Sequence, residues 1–92
     1  MADNVKVYTG NNLLYTGQGQ LVGLVITASA GSPLATFYDN TSAAGTKIFE
    51  CYVPSTDHVA IFFADRYSPR FSTGLYLALA ANLTATVWFR SL

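Results

Sequence analysis

Leu34–Phe49 reads L-A-T-F-Y-D-N-T-S-A-A-G-T-K-I-F, and this stretch decides the fold. Leu34–Tyr38 has strand composition. Asp39–Gly45 is polar turn material, and Thr46–Val53 returns as a second strand. The stretch is a β-hairpin whose turn Asp39 and Asn40 are expected to make, with the Asp39 side chain capping a nearby backbone N–H. Asp39, Asn40 and Thr41 could also offer oxygens to a calcium ion, but the Asx turn is their commoner use.

The same message repeats on both sides. Gln20–Ser29 is the longest β-rich run and is apolar on both faces, through Leu21, Val22, Leu24, Val25 and Ile26. That pattern suits a central strand, and Gly23 within it marks a bulge or a close backbone approach. Asn4–Tyr8 and Leu13–Tyr15 read as strands upstream, and His58–Ala64, Leu75–Ala80 and Leu83–Arg90 downstream. Asp65–Gly74 is the longest irregular connection. Short strands with turn signals roughly every 8–12 residues predict a sandwich or barrel. The expected fold is all-β: one small β-sandwich, jelly-roll-like, of about eight short antiparallel strands spanning residues 1–92.

Composition narrows the function. Charged residues are 11% of the chain and the net charge is zero, against a usual charged share of about 25%. A nucleic-acid binder would carry a basic patch, so that class is set aside. The neutral, apolar-rich surface suits a chain partly covered by partners. Cys51 is the only cysteine, so no intrachain disulfide forms. Met1–Asn4 lacks the basic and apolar regions of a signal peptide, which gives the expectation of synthesis in the cytoplasm. No apolar run reaches the roughly 20 residues of a membrane-spanning helix, so no membrane role is expected.

Catalytic chemistry finds little to stand on. His58 is the single histidine, and Asp57 beside it in a strand would point to the opposite face. Glu50 is the one acid inside an expected strand. One Cys and one His cannot build a zinc site within a chain, and G-Q-G-Q-L-V-G at residues 17–23 lacks both the spacing and the helix of a phosphate loop. The chain is therefore read as non-enzymatic, without cofactor, metal or catalytic residues. Phe37, Phe49, Phe62 and Phe89 are expected in the core. Tyr15, Tyr67, Phe71 and Trp88 are the surface aromatics, and Tyr67 between Arg66 and Arg70 has the make-up of an interface hot spot. The interface candidates are thus Arg66, Tyr67, Arg70, Tyr15 and Trp88.

T-F-Y-D-N-T-S-A-A-G-T-K-I-F at Thr36–Phe49 and P-R-F-S-T-G-L-Y-L-A-L at Pro69–Leu79, followed by the Thr/Val-rich Leu83–Arg90, resemble a group of very small proteins encoded by tailed bacteriophages. The resemblance covers roughly Leu21 to Arg90 and rests on turn and strand chemistry. It implies a structural virion protein, of the capsid decoration or cement type, that sits as a homotrimer on the major capsid protein and stabilises the head. It carries no catalytic or ligand residues. Met1–Gln20 lies outside it and is read as an arm or extra hairpin contacting a neighbour. The competing expectation is a receptor- or glycan-binding β-sandwich on a tail or fibre.

Overall fold

Short strands with alternating apolar residues must each bury one side, and two stacked sheets do this with little chain. The computed structural model describes residues 4–31, 33–64, 66 and 68–92. Its strands are β1 (Asn4–Thr9), β2 (Asn12–Thr16), β3 (Gly19–Ala28), β4 (Leu34–Asp39), β5 (Thr46–Tyr52), β6 (His58–Phe62), β7 (Arg70–Phe71), β8 (Gly74–Leu79) and β9 (Leu83–Ser91). One sheet runs β1-β9-β3-β6, with β7 also paired to β3; the other runs β2-β8-β4-β5. Every pairing is antiparallel.

The pairs are nested. β4 and β5 form the innermost hairpin, β3 and β6 enclose it, then β2 and β8, then β1 and β9. Rolling this ribbon brings β9 beside β3 and β8 beside β4, which is the jelly-roll order. The all-β, jelly-roll-like sandwich read from the sequence is the fold of the chain. The two-residue β7 is too short to show a period and goes unread as a strand within Asp65–Gly74.

Three bulges set which residues face inward. In β3 the register with β9 shifts between Leu21 and Gly23. The extra residue, Val22, reverses the phase of the strand, so Leu21 and Leu24 both point into the core while Gly23 faces out. Gly23 is also a site of close approach, because a Cβ there would collide with the Phe62 ring. A second shift passes over Leu14 in β2 and a third over Ile48 in β5.

The core between the sheets is built from Leu21, Leu24 and Ile26 of β3, Ala35 and Phe37 of β4, the three leucines of β8, and Ala85, Val87 and Phe89 of β9. Phe37 is fully buried, and truncating such a ring to alanine costs about 3–5 kcal/mol.

Two aromatic expectations reverse. Phe62, expected inside, is 61% exposed, and Phe71, expected at the surface, is buried. It is Val59 and Ile61 of β6, with Phe63 just past it, that pack on the core, so Ala60 and Phe62 are left outside. Phe71 is drawn in because β7 pairs with β3 and alternation then turns it inward beside Gly19.

Over the described residues 4–20 of Met1–Gln20, β1 and β2 do not pair with each other as an extra hairpin would. β1 and β2 enter opposite sheets, as the edge beside β9 and the edge beside β8, because Gly10 and Asn11 turn the chain from one layer to the other, with Gly10 at φ 72°.

Candidate functional site

The two stretches that carry the resemblance meet in space. Asp39 ends β4, and its Oδ1 accepts hydrogen bonds from the backbone N–H groups of Ser72 at 3.0 Å, Thr73 at 2.9 Å and Gly74 at 3.4 Å. Its Oδ2 accepts from the Ser72 N–H at 3.1 Å and the Ser72 hydroxyl at 3.3 Å. Asp39 therefore caps the loop before β8 and not its own turn, which corrects the sequence expectation. The cause is the β4–β8 pairing, which sets Tyr38 against Tyr76 and brings the start of β8 beside the end of β4.

Asn40 makes the turn. Its Oδ1 accepts from the Thr41 N–H at 2.7 Å and its Nδ2 donates to the Ala44 carbonyl at 2.9 Å. Gly74 completes this corner by close approach, since a Cβ there would lie 2.8 Å from the Tyr15 carbonyl oxygen and 3.0 Å from that of Asn40. Burial pulls the Asp39 carboxyl upward. The N–H groups of Thr73, Ser72 and Gly74, with the Ser72 hydroxyl, outweigh it and hold the group below its ordinary value. Both carboxylate oxygens are thus committed to donors, an arrangement that fastens two loops.

A different region has the character of a binding surface. On the outer side of β1-β9-β3-β6, register lays side chains in rows across the strands. One row is Val5–Trp88–Gly23–Phe62, and the next is Val7–Thr86–Val25–Ala60. Val5 is 55% exposed, Val7 59% and Phe62 61%. Phe62 leans on Trp88, with ring centroids 4.9 Å apart, and lies over Gly23. Arg90, Gln20 and Arg70 form the row at one end, and Thr9, Thr84, Thr27 and His58 the row at the other. Among the described residues these four rows contain no carboxylate. Asp57 sits just past the His58 end. It caps the His58 N–H at 2.7 Å, and its Oδ1 lies 3.5 Å from His58 Nδ1. The two side chains meet, contrary to the opposite-face expectation, because Asp57 belongs to the turn before β6 and escapes strand alternation.

The outer side of β2-β8-β4-β5 is built otherwise. Thr36 Oγ1 donates to Glu50 Oε2 at 2.9 Å, and Lys47 Nζ lies 3.1 Å from the same oxygen. The bulge at Ile48 is what lets residues three apart on a strand share a face. Lys47 and Thr36 hold the Glu50 carboxyl below its ordinary value, and Lys47 is raised by Glu50 in turn. Tyr38 and Tyr76 pair across this face, with Tyr52 opposite Leu34.

An open groove of about 470 Å³ separates the β1 and β2 edges, lined among others by Lys6, Tyr8, Asn12 and Tyr15, with Phe89 also in its wall. Lys6 Nζ lies 5.9 Å from the centre of the Tyr8 ring. No three His, Cys, Asp or Glu side chains cluster among the described residues.

Of the interface candidates, Trp88 and Arg70 share the outer face of β1-β9-β3-β6. Arg66 is exposed in the connection before β7. Tyr15 is half-buried between the sheets, 6.2 Å from Phe71 and 6.1 Å from Phe89 by ring centroids, so it is a packing residue. Tyr67 lies outside the described residues. Phe62, Val5 and Val7 were missed. The signal for Phe62 lay in its strand, where it alternates with Ile61 and shares a side with His58. No protein-family model matches the chain, and neither a curated protein nor a solved structure does.

Proposed function

We propose that this chain is a non-enzymatic structural protein of a virion, of the capsid decoration type, which self-associates and attaches to the major capsid protein. The observation that carries the reading is the exposed apolar face around Trp88 and Phe62. Contiguous apolar surface of this kind marks an interaction site, and aromatic side chains are favoured anchors of such sites. The phage resemblance of Thr36–Phe49 and Pro69–Leu79 supplies the virion, and the jelly-roll order is compatible with it, although one architecture hosts many roles. No cofactor enters the proposal. Mass analysis of purified heads and labelling of the protein on particles test it. The expected result is the protein on the head, with particles lacking it less resistant to heat; absence from purified heads would overturn the reading.

The Phe62–Trp88 pair favours a second reading, because an exposed aromatic platform also stacks on sugar rings. A glycan array would separate the two: reproducible binding lost in Trp88→Ala supports a receptor-binding module, and background signal removes it.

A further inference from the structure

We infer that the outer face of β1-β9-β3-β6 pairs with the same face of a second copy, about a twofold axis that lies in the interface and runs across the strands. The inference rests on the reading above of a self-associating protein, and it replaces the threefold arrangement that the resemblance implies with an isologous one.

Charge selects the axis. One end of the face carries Arg70 and Arg90, and the other carries His58 with Asp57 just beyond it. An axis along the strands would place arginine over arginine. An axis across the strands places Arg70 of one copy over the His58 end of the other, within reach of Asp57 just past it, twice. Asp57 is well placed for this, with a side chain 58% exposed.

Shape agrees with charge. With the axis midway between the two apolar rows, the row containing Phe62 lies over the row containing Ala60. The ring of one copy then meets the small side chain of the other, and Trp88 meets Thr86. Large against small is the pattern that lets two sheets interdigitate.

Area sets the strength. Four strands about 4.8 Å apart and about eight residues long, at roughly 3.3 Å each, give a flat footprint of about 500 Å². Side-chain relief brings this toward the roughly 600 Å² per partner at which specific interfaces begin. The pair is therefore at the weak end and dissociates on dilution.

Sedimentation velocity and native mass spectrometry from about 1 μM to about 1 mM span the relevant range. The expected result is a monomer–dimer equilibrium. Phe62→Glu weakens association by about tenfold or more, while Tyr52→Glu on the opposite outer face leaves it unchanged. Arg70→Asp and Asp57→Lys each weaken it, and the double variant Arg70→Asp/Asp57→Lys restores it; thermal melts of each variant certify folding. A monomer throughout the range, a trimer indifferent to Phe62→Glu, or a double variant no better than its parents overturns the twofold pairing. Failure here leaves the virion reading standing if the protein is found on heads. A dimer absent from heads removes that reading and keeps the pairing.

Discussion

The Asp39 corner and the outer face of β1-β9-β3-β6 are opposites. The corner holds the stretches Y-D-N-T-S-A-A-G-T and R-F-S-T-G-L-Y, and its Asp39 and Asn40 side chains find their partners inside the chain. The face has no motif, being valines, threonines and two aromatics between an arginine end and a histidine end, and contacts within the chain leave Phe62, Val5 and Val7 largely bare. The difference teaches that the memorable residues here are scaffold. The surface proposed to carry function is written in a register that only strand pairing reveals.

Substitutions can break that comparison from either side. The largest effect is expected at Gly74. Gly74→Val drives a side chain into two backbone carbonyls, and overpacking of that kind costs about 1–3 kcal/mol, to be read as a lower midpoint in urea. Asp39→Ala comes next. It leaves the Ser72, Thr73 and Gly74 N–H groups without their acceptor, for a loss of about 1–2 kcal/mol, discounted because the carboxylate is partly solvated. Self-association well below the melting temperature is expected to survive both changes. Loss of association without loss of stability would dissolve the distinction between corner and face.

Acid sharpens the same contrast. The folded Asp39 group titrates below its ordinary value of 3.8, so near that pH the unfolded chain binds more protons than the folded one. Stability is then fully present above the unfolded value and lost as pH falls through the folded one. Urea midpoints should fall as pH drops below about 4, and the fall should be shallower in Asp39→Asn. Equal slopes would show that the fastening does not depend on charge.

Phe62→Ser should do the reverse of the corner variants. It is expected to weaken association by about tenfold while shifting stability by about 0.5 kcal/mol or less, as surface changes do. Smallest of all is the Lys47–Glu50 pair, which is exposed. Lys47→Met should leave the melting temperature unchanged within error, since such pairs contribute little in water. A clear drop would mean that the tyrosine-rich face is ordered by its charges.

Most of the fold was legible because turns and alternation are local. Leu34–Phe49, Gln20–Ser29 and Leu83–Arg90 each carry their own strand signal, and Gly23 announced both its bulge and its crowding. Sidedness was less legible. Alternation in His58–Phe63 separates Phe62 from Ile61 correctly, but both rows are apolar, and only packing across the sandwich, as of Phe63 on Phe49 of β5, decides which is inside. Asp39 illustrates a second limit. Its partners lie more than thirty positions away, so the sequence offered the nearer turn. Trp88 and Arg70 were legible as surface residues, yet nothing local says they share a face, because that follows from β9 and β7 flanking β3.

The nested pairing also dictates an order of events. β4 meets β5 across a short turn, whereas Asn4 of β1 must find Phe89 of β9. Contacts that close such long loops make folding slow. A chain emerging from a ribosome can form the inner hairpin early, but it cannot seal the sandwich until β9 has emerged. Until then β3 lacks its long neighbour, and Leu21, Leu24 and Ile26 stand on an open edge. The interval between synthesis of β3 and arrival of β9 is therefore when this protein most needs protection from aggregation.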